Sequence, residues 1–281
     1  MKLGLLTAPF PETPLDGVAD WANSEGFEAL EIACWPKSAG PARRYAGTAH
    51  IDVASISASE GKEVVSRLVG KGLVISALGY YPNPLHPDAG HRQTVIEHLR
   101  KVVAAAGKMG VGLVNTFCGG DAAQTVDVNW TEAQKVWPDI IAFARDNGVK
   151  LAFENCPMIF SYDEWPGGHN IAYSPHVWRR ILEEWKGEVG MNYDPSHLVW
   201  QMIDRDGLYE RGIMSPGIGW QIPRMPGLGE VDWNAFFSGL YRAGYDGPVV
   251  IEHEDRRFEG SDEAVKRGFL LARDVLKPLV K

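Results

Sequence analysis

Short runs of consecutive apolar residues recur along this chain. Each is followed by a polar or proline-rich stretch and then by a longer segment with apolar residues at helical spacing. Leu3 to Thr7 predicts a first strand. Leu15 to Ser24 reads as a helix with Val18, Trp21 and Ala22 on one face, and Gly26 closes it as a left-handed cap. Ala29 to Ala33 is a second strand with Glu31 inside it and Trp35 just beyond. Pro36 to Ser57 is a long loop carrying His50. Ser59 is the expected N-cap of a helix running to Gly70. The third strand is Leu73 to Leu78, and the loop after it, ending at His86, is rich in aromatic residues and proline. A long helix follows over Gly90 to Met109, then a fourth strand over Val111 to Phe117, a helix over Thr131 to Asp146 and a fifth strand over Val149 to Phe153. Ser174 and Pro175 open the helix to Trp185, serine as cap and proline in the first turn. Val189 to Tyr193 is the sixth strand. Trp233 to Ala243 is helical, Val249 to Ile251 is a strand, and Ser261 to Leu279 is the closing helix.

Strands that read as uninterrupted apolar runs are covered on both faces, which favours a parallel sheet. Polar residues gather after the strands and short glycine turns precede them. That asymmetry belongs to a (β/α)8-type TIM barrel with its site on the C-terminal rim. An open doubly wound sheet fits less well, because Pro9, Phe10 and Pro11 stand where a glycine-rich phosphate turn would follow strand one. From strand three onward, starts fall at Leu73, Val111, Val149 and Val189; the next clear start is Val249. Only Leu198 to Ile203 is apolar between, too close to strand six for a parallel crossover of about a dozen residues. It reads as the start of a helix, and Asp204 to Glu230 as loop. Seven strands are therefore expected, in a single domain spanning residues 1–281.

Composition then excludes several classes. A chain of 281 residues buries a large core, and a net charge of −8 offers no broad basic surface to a nucleic-acid backbone. Cys34, Cys118 and Cys156 are odd in number and far apart, which argues against a disulfide framework and suits a reducing cytoplasm. The apolar N-terminal run is too short for a signal peptide and meets Pro9 and Pro11 at once. No run is long enough to span a membrane.

Three strands share an unusual ending. The runs leading to Glu154, Asp194 and Glu252 each stop at a carboxylate, and Pro195 ends sheet pairing after the second. If these strands are parallel neighbours, three carboxylates converge on one rim. Crowded carboxylates repel, and burying one unpaired costs several kcal/mol. A divalent cation relieves both. Helix capping and solvated strand ends are the plain alternative for any one of them; three together favour a metal. Oxygen-rich ligation favours Mn²⁺ or Mg²⁺, and a histidine ligand would pull toward Zn²⁺ or Co²⁺.

The segments Phe153-Glu-Asn155, Asn192-Tyr-Asp-Pro-Ser-His197, Pro226 to Trp233 and Ile251-Glu-His-Glu254 resemble, in this order, the sugar phosphate isomerase/epimerase family of xylose isomerase-like TIM barrels. The resemblance covers nearly the whole chain. It implies a divalent metal held by a Glu after strand five, an Asp after strand six, a His after strand seven and a Glu after strand eight. Glu154, Asp194 and Glu252 match three of these, and His197 matches a histidine facing the substrate. The family's histidine-bearing seventh strand has no counterpart: Trp200 to Trp233 contains no histidine.

The expected activity is a metal-dependent isomerase or epimerase of a carbohydrate or polyol, with Glu154 and Glu252 as acid and base next to a carbonyl and an enediolate between them. A lyase of the same family, inosose dehydratase-like or C-glycoside-cleaving, begins with the same proton abstraction. A third reading is a catalytically impaired, shortened relative acting as a binding or assembly protein. A gap in the barrel exposes strand edges, which invite a partner chain such as a second copy of this one. An endonuclease of the same superfamily would need a basic groove and many histidines, against the acidic balance here. Glu31 suits either a substrate contact or a buried ion pair. His86 lies on a rim loop within reach of a substrate, and Trp35 suits either an apolar wall for a sugar ring or the packing of its own loop. His253 follows Glu252, so the two-residue period of a strand points it to the opposite face, a structural place.

Overall fold

The structure is a computed structural model that describes residues 1–37, 47–158, 168–201 and 222–280, without the side chains of Trp200 and Gln201. The expected loop over Asp204 to Glu230 therefore lies largely outside the described residues. Among the described residues there are seven strands: β1 (Lys2–Leu6), β2 (Ala29–Ala33), β3 (Val74–Gly79), β4 (Leu113–Thr116), β5 (Lys150–Glu154), β6 (Val189–Asn192) and β7 (Pro248–Ile251). The helices are α1 (Leu15–Ser24), α2 (Ala58–Gly70), α3 (Ala89–Met109), α4 (Val126–Asp146), α5 (Pro175–Glu184), α6 (Ser196–Gln201), α7 (Trp233–Arg242) and α8 (Asp262–Leu276). Among the described residues no strand lies between β6 and β7, and Leu198 belongs to a short helix as its proximity to strand six requires. No described helix is long and apolar enough to cross a membrane.

Chain contacts divide the molecule into two compact units: Met1–Gly79 with Lys108–Val111 and Ile222–Lys281, and Tyr80–Gly107 with Gly112–Gln221. In the first unit β7, β1, β2 and β3 lie side by side, all parallel. β2 is buried along its whole length, as an uninterrupted apolar run covered on both faces must be. Gly4 sits where β1 meets β2 so closely that a Cβ would collide with the Ala29 carbonyl, which is why a residue with poor strand propensity stands there. Behind the sheet, Phe269 of α8 stacks on Phe10 at 5.7 Å and meets Trp21 and Phe27 at 6.2 and 6.4 Å. These rings form the apolar payload of this unit.

In the second unit β4, β5 and β6 run parallel, with Leu151 opposite Val189 and Glu154 opposite Asn192. Trp137 packs edge-on against Phe153 at 4.5 Å and donates its indole N–H to the Cys118 carbonyl at 3.0 Å.

Two helix starts differ from expectation. α2 is capped by Ser57 rather than Ser59. Ser57 has Glu60 three residues on, and the pair exchange both bonds of a capping box; Ser59 has Lys62 there, which cannot complete one. α4 begins at Val126, not Thr131, with Thr125 as cap, and runs through Pro138. Its buried stripe of Trp130, Ala133, Trp137, Ile140, Ile141 and Ala144 outweighs the local cost of that proline.

Asp255 anchors the chain beyond β7. Its carboxylate is fully buried and accepts bonds from Arg224 Nη1 (3.1 Å), Met225 N (3.1 Å) and Arg257 N (2.9 Å). Burial pushes this carboxyl up, but the two backbone donors and the Arg224 guanidinium outweigh it and hold it below the usual range. A folded value below the unfolded one stabilises above the unfolded value and is lost as pH falls through the folded value. Asp255→Asn is therefore expected to cost about 2 kcal/mol at neutral pH, since hydrogen bonds to charged groups are worth about that. The gap to the parent protein should close below about pH 4. Urea midpoints at pH 7 and pH 3 measure this; equal losses at both would refute it.

Candidate metal centre

β5 ends at Glu154 and β6 ends two residues before Asp194, on adjacent parallel strands, so both carboxylates leave the sheet at the same end. Pro195 and the start of α6 then bring His197 back over the strand ends. His197 Nε2 lies 3.0 Å from Glu154 Oε1 and 3.3 Å from Asp194 Oδ2. Two carboxylate oxygens thus converge on one ring nitrogen that can carry only one proton. Oxygens aimed at a shared electropositive point are what a divalent cation requires, so this donor set fits one.

Asparagines set the backbone under the cluster. Asn155 Oδ1 accepts from Asp194 N at 2.6 Å while its Nδ2 donates to Asp194 O at 2.8 Å, locking the β6 exit to the β5 exit. Asn170, fully buried, donates to the carbonyls of Glu154 (2.8 Å) and Cys156 (2.6 Å) and accepts from Gly119 N (3.1 Å) and Ala172 N (3.3 Å). Asn192 Nδ2 donates to Glu154 Oε2 at 3.4 Å and to the Tyr81 hydroxyl at 3.2 Å.

Glu154 is 6% exposed. Burial pushes its carboxyl above the ordinary range, the His197 bond draws it down, and the Asp194 charge pushes it up again; the net direction is up. Burial alone would lower His197, but Cys156, Asp194 and the Glu154 bond outweigh it and hold the imidazole well above its ordinary value. Burial raises the Cys156 thiol, and the adjacent His197 draws it part of the way back.

The residues singled out in the sequence fall in several places. Glu154, Asp194 and His197 meet, as described. Glu252 follows β7 directly, one step beyond Ile251, which pairs with Leu5. Glu31, buried on β2, pairs with Leu6 and so stands at the same level two strands away. Trp35 is buried, its N–H bonded to the Thr48 carbonyl. His86 accepts from Asp88 N at 3.1 Å and packs on His91 at 4.4 Å, local contacts that a loop histidine makes with its own turn. His253 is buried against Phe258 and Phe269, while Glu252 before it is exposed. Asn170, Asn192 and Cys156 were not legible as site residues, whereas Tyr81 was legible as an aromatic of the loop after strand three that could line a sugar site. Of the first three, Asn192 alone carried a signal, a polar residue at the end of an apolar strand.

Parallel strands alternating with helices, with carboxylates at the strand exits, define a (β/α) barrel class. The chain belongs to the xylose isomerase-like TIM barrel family, whose model matches residues 19–275. Among curated proteins it resembles the uncharacterized protein YfiH of Bacillus subtilis (strain 168), at 25% identity over 91% of this chain and 93% of that one. Among solved structures it superposes on D-psicose 3-epimerase with D-tagatose from Clostridium cellulolyticum H10, with a TM-score of 0.70, 17% identity and full coverage of both chains. IOLI protein with a binding zinc atom gives a TM-score of 0.69 at 14% identity, covering 100% of this chain and 98% of that one. The 3-keto-D-glucoside 4-epimerase YcjR from E. coli gives 0.64 at 15%, covering 98% and 99%. At such identities these structures share the fold.

Proposed function

We propose that the protein is a metal-dependent isomerase or epimerase of a carbohydrate or polyol, with Glu154, Asp194 and Glu252 as the residues that hold the divalent cation. The observation that carries this reading is the convergence of Glu154 and Asp194 on one point at the exits of β5 and β6. Family membership and the epimerase neighbours support it. A bound cation would supply positive charge beside the substrate carbonyl and so favour the enediolate.

The chain's own groups do the rest. Glu154, kept basic by a buried setting, takes the proton from the carbon next to the carbonyl. Glu252 returns a proton at the other face, which inverts the centre or moves the carbonyl. His197, bonded to Glu154, fixes the orientation of that carboxylate and faces the substrate hydroxyls. Asn155 keeps Asp194 in register with Glu154.

The test is solvent deuterium uptake by a panel of keto-sugars, with Mn²⁺ or Zn²⁺ supplied. Deuterium entering the carbon next to the carbonyl is expected for at least one of them. No uptake with any sugar, in a protein that retains no divalent ion, would favour a non-catalytic binding relative instead.

A further inference from the structure

The sulfur nearest the cluster has no part in the chemistry above. Cys156 lies two residues beyond Glu154, is 9% exposed and is not in a disulfide. One donor atom each from Glu154, Cys156 and His197 lies within 4.8 Å of the other two. We propose that these three residues form a borderline-soft metal site, with Cys156 as a thiolate ligand, that takes Zn²⁺ or Co²⁺ in preference to Mg²⁺ or Mn²⁺. It rests on the reading of Glu154 as a metal ligand and replaces Asp194 and Glu252 by Cys156 and His197 as its partners when the metal is a softer one.

The geometry supports closure around one ion. Zinc holds sulfur at about 2.3 Å and nitrogen or oxygen at about 2.0–2.2 Å, so tetrahedral ligand atoms stand roughly 3–4 Å apart. Glu154 Oε1 and His197 Nε2 are already 3.0 Å apart. The Cys156 sulfur lies within 4.8 Å of a donor atom of each. Three protein ligands leave a fourth position open, the arrangement of a catalytic rather than a structural zinc.

The turn carrying Cys156 is held in place. Both carbonyls flanking it in the ligand set, those of Glu154 and Cys156, are tied to one amide, Asn170 Nδ2. Two residues on, Met158 has φ +55°, a left-handed conformation a side-chain-bearing residue adopts only when its surroundings impose it, and its carbonyl accepts from His169 N at 3.0 Å. Hydrogen-bonded partners fix how ligands are presented to a metal. Donor softness makes the selection: thiolate and imidazole suit Zn²⁺, whereas carboxylate and water suit Mg²⁺ and Mn²⁺. As the metal–sulfur bond forms, the thiol proton passes to solvent.

Titrating the full chain with Co²⁺ decides the matter. Thiolate-to-cobalt charge-transfer absorption in the near ultraviolet is expected. Cys156→Ser should abolish it and weaken Co²⁺ binding about tenfold or more. Zn²⁺ should displace Co²⁺ at stoichiometric levels where a large excess of Mg²⁺ does not. Because Cys156→Ser could misfold, the doubly substituted Cys34→Ala/Cys118→Ala protein is the second arm, and it should keep the band. Co²⁺ bound without a sulfur band, or a band lost only in the double variant, overturns this site and leaves the Glu154–Asp194–Glu252 reading intact. No Co²⁺ binding at all overturns both.

Discussion

Glu154→Gln is expected to lower turnover about 10²–10⁴-fold, the usual contribution of a positioned acid or base. Gln keeps an oxygen to accept the His197 bond but offers neither a proton acceptor nor a charged ligand. The same variant should lose its response to metal. A ligand at about 100 times its Kd stabilises a native protein by about 2.7 kcal/mol, so the parent protein should melt later with saturating Zn²⁺ or Mn²⁺ while Glu154→Gln should not. The metal-free variant should stay close to the parent in stability, because the change removes a buried carboxylate that burial already disfavours. Thermal melts with and without metal, next to initial rates, test all three. A variant that still shifts with metal would show that the cation is held elsewhere.

Asn170→Ala carries the largest expected loss of stability, about 3–5 kcal/mol. The side chain is fully buried and satisfies four backbone groups from three segments: Gly119 N, Ala172 N, Glu154 O and Cys156 O. Alanine fills less space and satisfies none of them. Each buried group left without a bond costs about 1–3 kcal/mol, and water entering the vacated space recovers part of the total. The urea midpoint should fall with little change in slope. A loss under about 1 kcal/mol would mean that these backbone groups find other partners. Metal affinity should fall as well, since the turn that presents Glu154 and Cys156 is no longer tied.

Much of the architecture was legible because it is local. An apolar run of strand length, a helical stripe and a glycine just past it are set within about a dozen residues, and each places an element. The same logic put Glu154, Asp194 and Glu252 at strand exits, because the end of an apolar run marks where a buried strand reaches the rim. The spacing from β6 to the next apolar run argued for seven strands, and seven are described. Local reading failed where two candidates competed on equal terms. Ser57 and Ser59 are both good caps, and only the glutamate three residues on separates them. α4 begins five residues before the expected start, because Thr125 caps it and Trp130 is buried within its first turns.

The sequence by itself determined which residues end strands in carboxylates and which stretches alternate as strand and helix, because both follow from periodicity along a single segment. Only the tertiary structure decided that Asn155 clasps Asp194 across 39 residues of chain, that Asn170 ties the exit of β5 to the loop after β4, and that Cys156 stands beside His197. Those contacts depend on the register between β5 and β6 and on where each loop returns, and a hydrogen-bond partner distant in sequence leaves no trace in the pattern of its own neighbourhood.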